Sequence, residues 1–185
     1  TGKVFNIDWQ SNINTDYKLD TKILGNIDPK NIINFHSIRK GIKNYLCILN
    51  SDGRFKKVLF NTDMINSNRS FTITKLKKNT KTIDSFVSMG EETLILLTSI
   101  GRIFKFDLSD NFISTTSKQS QGLALVKLLP KEKIVSCCQC KKAEKFYLLS
   151  QQGKIFCFNN NEIYYAIDNH LGYLSDKTQL KNDCF

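Results

Sequence analysis

Leu94-Ile-Leu-Leu-Thr-Ser-Ile-Gly-Arg-Ile-Phe-Lys-Phe-Asp-Leu108 decides how the rest of the chain is read. Residues 94–98 form an apolar, strand-prone run, and Gly101-Arg102 punctuates it. Ile103, Lys105 and Asp107 then alternate with Phe104, Phe106 and Leu108, the period of two that a half-buried strand shows. The pattern predicts a β-hairpin. It recurs in Tyr45-Leu-Cys-Ile-Leu-Asn-Ser-Asp-Gly-Arg-Phe-Lys-Lys-Val-Leu59 and in Phe146-Tyr-Leu-Leu-Ser-Gln-Gln-Gly-Lys-Ile-Phe-Cys-Phe158. Thr1-Gly-Lys-Val-Phe-Asn-Ile7 reads as a fourth copy caught at its turn. The turn glycines Gly2, Gly53, Gly101 and Gly153 stand 51, 48 and 52 residues apart. A Gly-Lys/Arg turn alone is a common hairpin turn. Four at even spacing are the signature of a propeller or solenoid built from units of about 50 residues.

Working outward, the approximate repeats are 1–44, 45–92, 93–144 and 145–185. In the first, Val4–Trp9 leads into the polar connector Ser11–Lys18. Thr21–Ile27 is an expected strand, Asp28-Pro-Lys-Asn31 a turn with Pro29 at its second position, Ile32–Ile38 a short strand, and residues 39–44 a basic loop. In the second, a polar loop over 61–70 carries Arg69, Phe71–Lys77 reads as a strand, Lys77-Lys-Asn-Thr-Lys81 as a basic turn, and Ile83–Met89 as the last strand. The third is clearest: a loop over Ser109–Gln121, a strand from Gly122 to Leu129, the turn Pro130-Lys-Glu-Lys133, and the closing strand Ile134–Cys140. In the fourth, Asn159-Asn-Asn161 is a turn, Glu162–Ile167 extends the second strand, and Gly172–Leu180 fills the slot of Gly122–Leu129. Each unit thus supplies four short strands. No segment of about a dozen residues holds the helical period. The expected fold is all-β, a propeller-like partial ring of four-stranded blades in a single domain or fragment; a start in mid-hairpin without an initiator Met suggests a fragment.

The 185 residues are 41% apolar, enough for one domain with a sizeable core, and no run is long and apolar enough to span a membrane. No signal peptide is visible. Of the six cysteines, Cys47 and Cys157 sit in apolar strands and are expected to pack as small hydrophobes. Cys137-Cys-Gln-Cys140 has no histidine near it in sequence, since His36 and His170 are both distant, so zinc is not expected. Free thiols fit a reducing, cytosolic compartment. His36 in its apolar setting reads as a packed residue rather than a base, and His170 lies in an Asn/Gly loop. The tyrosines are mostly on strand positions, where core packing is the default. No phosphate-binding glycine loop and no convergent acid, base or nucleophile is visible, so no catalytic residue is assigned.

The charge is informative: 27 basic against 17 acidic residues, a net +10. A basic excess is the footprint of a polyanion partner, although Asn- and Ile-rich compositions from AT-rich genomes are also often basic. Candidate contacts are Arg54, Lys56, Lys57, Arg69, Lys75, Lys77 and Lys78 in the second unit, with Lys81 beside them. Arg102, Lys105, Lys118 and Lys127 follow in the third, and Lys141, Lys142, Lys145 and Lys154 at and in the fourth. Repeated at one slot of a radial array, lysines would form a curved positive belt that tracks phosphates without reading bases. Few aromatic residues interleave them, so single-strand stacking is not expected. For each lysine the plain alternative is a solvated strand face.

The unit of apolar strand, Thr/Ser-x-x-Gly-Arg/Lys, second strand, loop and Leu-Leu-Pro-x-Glu-x-Ile-Val resembles the C-terminal β-pinwheel domain of DNA gyrase A and its topoisomerase IV relative. The residues that carry this are Leu96-Leu-Thr-Ser-Ile-Gly-Arg-Ile-Phe-Lys-Phe106, Thr116-Ser-Lys-Gln-Ser-Gln-Gly122 and Val126-Lys-Leu-Leu-Pro-Lys-Glu-Lys-Ile-Val135; units two and four match more loosely through Gly53-Arg54 and Gly153-Lys154. Gly122 ends the family's basic loop, in which Lys118 is kept. The resemblance implies a non-catalytic domain whose positive rim binds and bends double-stranded DNA and delivers it to the breakage-reunion core. The ATPase subunit would be a further partner, with ATP and Mg2+ needed only in the holoenzyme and no cofactor here. It implies a cytoplasmic, nucleoid-associated protein, or a plastid one in a eukaryote. The family's Gln-Arg-Arg-Gly-Gly-x-Gly box is not in this sequence: either it precedes Thr1, or wrapping is weak as in topoisomerase IV. The chain also supplies fewer blades than the family has. The competing readings are a propeller that binds proteins, with an apolar or mixed face, and a propeller enzyme, which would need acids and histidines converging on a channel.

Overall fold

The computed structural model describes residues 2–5, 28–38, 42–60, 64, 70–166, 172–174, 178 and 183–185. The expected strand at Thr21–Ile27, the connector Ser11–Lys18, most of the loop over 61–70 with Arg69, and His170 lie outside them. The strands are β1 (Lys3–Val4), β2 (Asn44–Asn50), β3 (Arg54–Phe60), β4 (Phe71–Thr72), β5 (Thr82–Ser88), β6 (Thr93–Thr98), β7 (Arg102–Asp107), β8 (Leu123–Ala124), β9 (Ile134–Cys140), β10 (Lys145–Leu149), β11 (Ile155–Asn159) and β12 (Tyr173–Leu174). They form two four-stranded sheets, β5-β2-β3-β8 and β9-β6-β7-β12, and two two-stranded ones, β10-β11 and β1-β4. Every pairing is antiparallel. The fold is all-β, its sheets arranged like pinwheel blades that do not close into a ring.

The three complete hairpins stand where the sequence places them, at β2-β3, β6-β7 and β10-β11. Both four-stranded sheets repeat one register. The closing strands pair with the first hairpin strands and shift register at the same step, between Leu49 and Asn50 in one and Leu97 and Thr98 in the other. The turns before those closing strands are also alike. Thr80 N–H bonds to Lys77 O at 3.1 Å and Glu132 N–H to Leu129 O at 3.0 Å, with Asn79 and Lys131 at φ +64° and +66°.

The fourth strand of each blade is not its own. β8 belongs to the third unit but pairs with β3 of the second, Arg54 with Ala124 and Phe55 with Leu123. β12 belongs to the fourth and pairs with β7 of the third. β4 of the second pairs with β1 of the first. Among the described residues the second and third units contribute four strands each, one of which completes the blade before it. These exchanged strands are only two residues long, shorter than Phe71–Lys77 and Gly122–Leu129 predict. In two of them one carbonyl ends the ladder by taking two amides: Gly2 O accepts from Ile73 and Thr74, Gly53 O from Leu125 and Val126. The chain then turns away toward the lysine turns.

Ile32–Ile38, expected as a strand, is irregular, and Asp28-Pro-Lys-Asn31 is a 3-10 turn closed by Asn31 N–H to Asp28 O at 2.9 Å. Beyond β11 the expected turn is a 3-10 turn over Asn160–Glu162, and residues 163–166, expected to extend the strand from Glu162, are irregular. Asn159 and Glu162 cap it reciprocally, a local hydrogen-bonding choice that competes with strand.

Blades pack face to face. Tyr45, Cys47, Leu49 and Phe55 of one sheet meet Leu94, Leu96, Phe104 and Phe106 of the next. The opposite face of that second sheet, Ile95, Leu97 and Ile103, meets Phe146, Leu148 and Phe158 of the fourth unit. The opposite face of the first, Leu46, Ile48 and Val58, packs with Phe60, Met64 and Ile73. A sheet covered on both faces needs near-continuous apolar runs, which is why residues 45–49 and 94–97 do not alternate. β7 is therefore buried from Arg102 to Phe106 rather than half-buried as its alternation predicts.

Gly53 and Gly101 sit at φ +80° and +83°, and a Cβ on either would fall on a carbonyl oxygen of the exchanged segment, Val126 O for Gly53 and Thr178 O, 2.5 Å away, for Gly101. Gly101→Ala is expected to cost more than the roughly 1–2 kcal/mol of left-handed strain alone, because the exchanged segment must also move. Urea denaturation of Gly101→Ala beside Gly153→Ala, whose Cβ would meet nothing within 4 Å, checks this: equal losses would show that the strand contact adds nothing.

Candidate nucleic-acid interface

The basic residues fall into two populations. The first is internal. Lys57 lies on β3 with its side chain fully buried, and its Nζ donates to Leu108 O at 2.5 Å, Asp110 Oδ1 at 2.7 Å and Ile113 O at 3.1 Å. The ammonium also stands 4.3 Å from the Tyr45 ring centroid. Lys105, four residues after its turn glycine as Lys57 is, donates to Asn160 O at 2.7 Å and Ile163 O at 3.2 Å and stands 4.3 Å from the Tyr165 ring. Each lysine clamps the loop of the following unit onto its own blade. Hydrogen bonds from Lys57 and the Tyr45 hydroxyl hold the Asp110 carboxyl well below the usual range. Burial pushes Lys105 down.

The residue after the turn glycine is also engaged. Arg102 forms a bidentate pair with Glu132, Nε to Oε1 at 2.8 Å and Nη2 to Oε2, and donates from Nη2 to Lys127 O at 3.1 Å. Burial raises the Glu132 carboxyl, but hydrogen bonds from Arg102 and the Leu129 amide more than offset this and hold it below its ordinary value. Lys154 takes the corresponding place against Asp183 at 3.6 Å. Arg54 donates to Gly122 O at 3.0 Å and lies 3.7 Å from Asp52. Lys56 is buried, with Nζ on Lys118 O and Ser120 O, both at 2.7 Å, and burial pushes it down to about 8.

The second population is exposed and repeats. Lys75 and Lys127 each follow the residue whose carbonyl covers a turn glycine, Thr74 for Gly2 and Val126 for Gly53. Lys81 and Lys133 also occupy one slot. Their carbonyls accept from the Ser51 and Ser99 amides, both at 2.8 Å, and their amides donate to Ser51 Oγ at 3.1 Å and Ser99 Oγ at 3.2 Å. Lys77, Lys78 and Lys131 crown the same turns and are exposed. All of these stand at the hairpin-turn end of their sheets. Lys141, Lys142 and Lys145 are exposed but lie where β9 leads into β10, at the opposite end. Lys118 is exposed on the loop across β3, with Nζ 5.3 Å from the Phe71 ring. Lys131 and Lys133 are not among the candidates that the sequence supplies. Their signal is the equivalence of the Pro130–Lys133 turn with Lys77–Lys81.

A shallow groove of about 480 Å³ runs between β5, β9 and the segment 34–37. His36 Nε2 lies 2.9 Å from Ser85 Oγ, and burial lowers its basicity. Cys137 Sγ donates to Asp84 Oδ2 at 3.3 Å, and burial pushes its thiol up, Cys138 to about 12. These thiols stay protonated near neutral pH, which leaves no thiolate nucleophile. Among the described residues no group of three or more His, Cys, Asp or Glu could hold a metal, and no helix is long and apolar enough to cross a membrane. Cys47 is buried in the core as expected, whereas Cys157 is exposed.

This open array of strand-exchanged blades is a β-pinwheel. Among solved structures the chain is similar to the C-terminal domain of DNA topoisomerase IV, with TM-score 0.63 and 20% identity over 75% of this chain and 43% of that one. It is similar to the DNA gyrase A C-terminal domain, at 0.58 and 21% over 83% and 53%, and to the E. coli ParC C-terminal domain, at 0.61 and 13% over 78% and 61%. The chain thus spans about half the length of those domains. No family model and no curated protein matches the sequence.

Removing the Lys57 ammonium with Lys57→Met takes the donor from the Leu108 and Ile113 carbonyls and leaves Asp110 only Tyr45 and Lys43; it is expected to cost about 1–3 kcal/mol, whereas Lys81→Glu and Lys133→Glu stay within about 0.5 kcal/mol of the parent; urea denaturation checks both. Lys56 gives a pH signature. Its folded-state pKa lies near 8, below the roughly 10.4 of an unfolded lysine, so between those values the unfolded chain binds the extra proton. The Lys56 contribution to stability therefore rises with pH from about 8 to about 10, and the rise is expected to disappear in Lys56→Met when denaturation is followed at pH 7, 8, 9 and 10.

Proposed function

We propose that this chain is a non-catalytic domain that binds and bends duplex DNA within the DNA-cleaving component of a bacterial-type type II topoisomerase, cytoplasmic and associated with the nucleoid. The observation that carries this reading is the pair of exposed lysine slots repeated in successive blades, Lys75 with Lys127 and Lys81 with Lys133. Two cations at a fixed blade-to-blade step match a polymer with charge at fixed spacing, and the net +10 supplies a long-range attraction. Lysine ammonium groups act as point charges and contact phosphate in any rotational setting, so binding is expected to track backbone rather than sequence. A rim that steps around a curved array pulls the duplex along the curve, and each added phosphate contact offsets part of the bending cost. Lys77, Lys78, Lys118 and Lys131 extend this surface. Lys56, Lys57 and Arg102 act from beneath it, by fixing the loop that carries Lys118 and the turn that carries Lys127 and Lys131. The four-stranded blades and the likeness to topoisomerase C-terminal domains support the assignment. DNA gyrase A is the proposed parent, its partners being the breakage-reunion core and the ATPase subunit. The topoisomerase IV relative is the alternative, favoured by the lack of a Gln-Arg-Arg-Gly-Gly-x-Gly stretch in these 185 residues.

Fluorescence anisotropy with linear duplexes across a salt series tests the reading. If about five phosphates are contacted, log K against log salt should slope by about −4 to −5, with duplexes of unrelated sequence alike. Lys75→Glu/Lys81→Glu/Lys127→Glu/Lys133→Glu should flatten the slope without loss of fold. No binding at low salt would defeat the proposal. Topology assays on relaxed circular DNA separate the two parents, because chiral wrapping shifts linking number and simple bending does not.

A further inference from the structure

One slot in the repeated turns is filled differently in the second blade. The carbonyls of Lys81, Lys133 and Cys184 accept the amides of Ser51, Ser99 and Gln151 at 2.8, 2.8 and 2.9 Å. The residues just before them, Thr80, Glu132 and Asp183, are therefore equivalent. In the third and fourth units this slot holds a carboxylate, and the cation after the turn glycine meets it. Arg102 pairs with Glu132, and Lys154 Nζ lies 3.6 Å from Asp183 Oδ2. The second unit keeps the cation, as Arg54, but has threonine in the slot. Arg54 lies 3.7 Å from Asp52 instead and donates to Gly122 O at 3.0 Å.

A phosphate on Thr80 would supply the missing anion. The terminal oxygens of phosphothreonine stand the same number of bonds from Cα as the carboxylate oxygens of glutamate. From residue 80 they can reach what Glu132 reaches from its own place, the guanidinium after the turn glycine and the amide that opens the turn. That amide is Leu129 N–H, at 2.7 Å from Glu132 Oε2, in the third blade, and Lys77 N–H takes its place in the second. A phosphate dianion accepts both arms of a guanidinium, which makes it a stronger partner for Arg54 than Asp52 at its present distance. The sequence marks the same residue independently. Of the dibasic pairs Arg39-Lys40, Lys56-Lys57, Lys77-Lys78 and Lys141-Lys142, only Lys77-Lys78 has a serine or threonine two residues on, and it is Thr80. Basic residues just before the acceptor are a charge pattern by which protein kinases choose substrates. Lys77, Lys78, Asn79 and Lys81 are exposed and Thr80 is half-buried among them, so the turn is open to an enzyme.

We infer that Thr80 is a phosphorylation site for a serine/threonine kinase that selects basic residues, and that its phosphate ties the turn to Arg54 and lowers the affinity of the lysine rim for duplex DNA. In the transfer the Thr80 hydroxyl oxygen bonds to the terminal phosphorus of ATP, the bond from that phosphorus to the departing ADP breaks, and the hydroxyl proton passes to the base of the kinase. The new charge of about −2 stands among Lys77, Lys78 and Lys81 and offsets the attraction they offer to a DNA backbone. The effect on DNA rests on the reading of the rim as a duplex-binding surface, whereas the site itself does not.

The whole chain is incubated with ATP and the catalytic subunit of cyclic-AMP-dependent protein kinase, and the product is mapped by mass spectrometry. One phosphate on Thr80 is expected, and Thr80→Val should accept none. No transfer to the folded chain, or equal transfer to Thr80→Val, would overturn the inference. Phosphorus NMR then reads the pairing. The second ionisation of the phosphate should fall below the roughly 6 of a free phosphothreonine, and Arg54→Gln should lose most of that shift; a phosphate that titrates as a free one, or a shift that Arg54→Gln retains in full, speaks against the tie to Arg54 and sinks it. Anisotropy with a linear duplex at low salt should show at least tenfold weaker binding after phosphorylation, with the slope of log K against log salt shallower by about one to two. Thr80→Glu should move both in the same direction, and unchanged affinity in both forms would defeat the regulatory role. If the unmodified chain binds no duplex, the rim reading fails, while mapping and NMR still decide whether Thr80 is the site.

Discussion

The carbonyl of Val126 occupies the space where any residue other than glycine at 53 would carry its Cβ. That close approach, repeated between Thr74 and Gly2 and between Thr178 and Gly101, holds the blades in series. A left-handed turn residue lets the hairpin reverse, and the missing side chain lets the next unit's backbone reach the sheet edge. With the edge closed, the following hairpin is brought round onto the sheet's face, and both faces become interior. The apolar content of the strands, the burial of polar groups and the position of the surface charges follow from that arrangement.

Covering both faces leaves no solvent side for polar strand residues. Lys57 and Lys105 are instead taken into the interior, where an unpaired ammonium would be very costly. They are tolerated because each meets backbone carbonyls of an irregular loop that lacks ladder partners. Buried donor and orphaned acceptors satisfy each other, and a charged donor makes such bonds stronger than neutral ones. Arg102 and Glu132 do the same for the turn before β9. Arg102, by pinning the turn before β9, thus fixes the backbone from which the exposed Lys127, Lys131 and Lys133 project.

Much of this was legible. Gly53-Arg54, Gly101-Arg102 and Gly153-Lys154 mark the hairpins because turn chemistry is local, and the closing strand Ile134–Cys140 appears where its apolar run and preceding turn place it. Strand exchange was not legible, since pairing partners are non-local and Gly122–Ala124 looks the same whichever blade it joins. The surface was only partly so. Lys105 between Phe104 and Phe106 reads as the wet side of a half-buried strand until the sheet is known to have no wet side. A lysine four residues after the glycine in two consecutive units was the available clue, since solvent exposure gives no reason to hold that spacing. Tyr147 and Tyr164 miss the other way: expected strand positions suggested packing, yet both are exposed.

Because a repeat both receives a strand and gives one, the covalent unit and the folded unit are offset by one strand. Duplicating or deleting a whole internal repeat in the gene leaves each internal turn glycine facing a donor, with no sheet to rebuild. Blade number is then nearly neutral to folding, and recombination can lengthen or shorten the array by about 50 residues at a time. A gain or loss of half a repeat, by contrast, would strand a hairpin without its edge. Lineages carrying this architecture can therefore lengthen or shorten the array in whole blades.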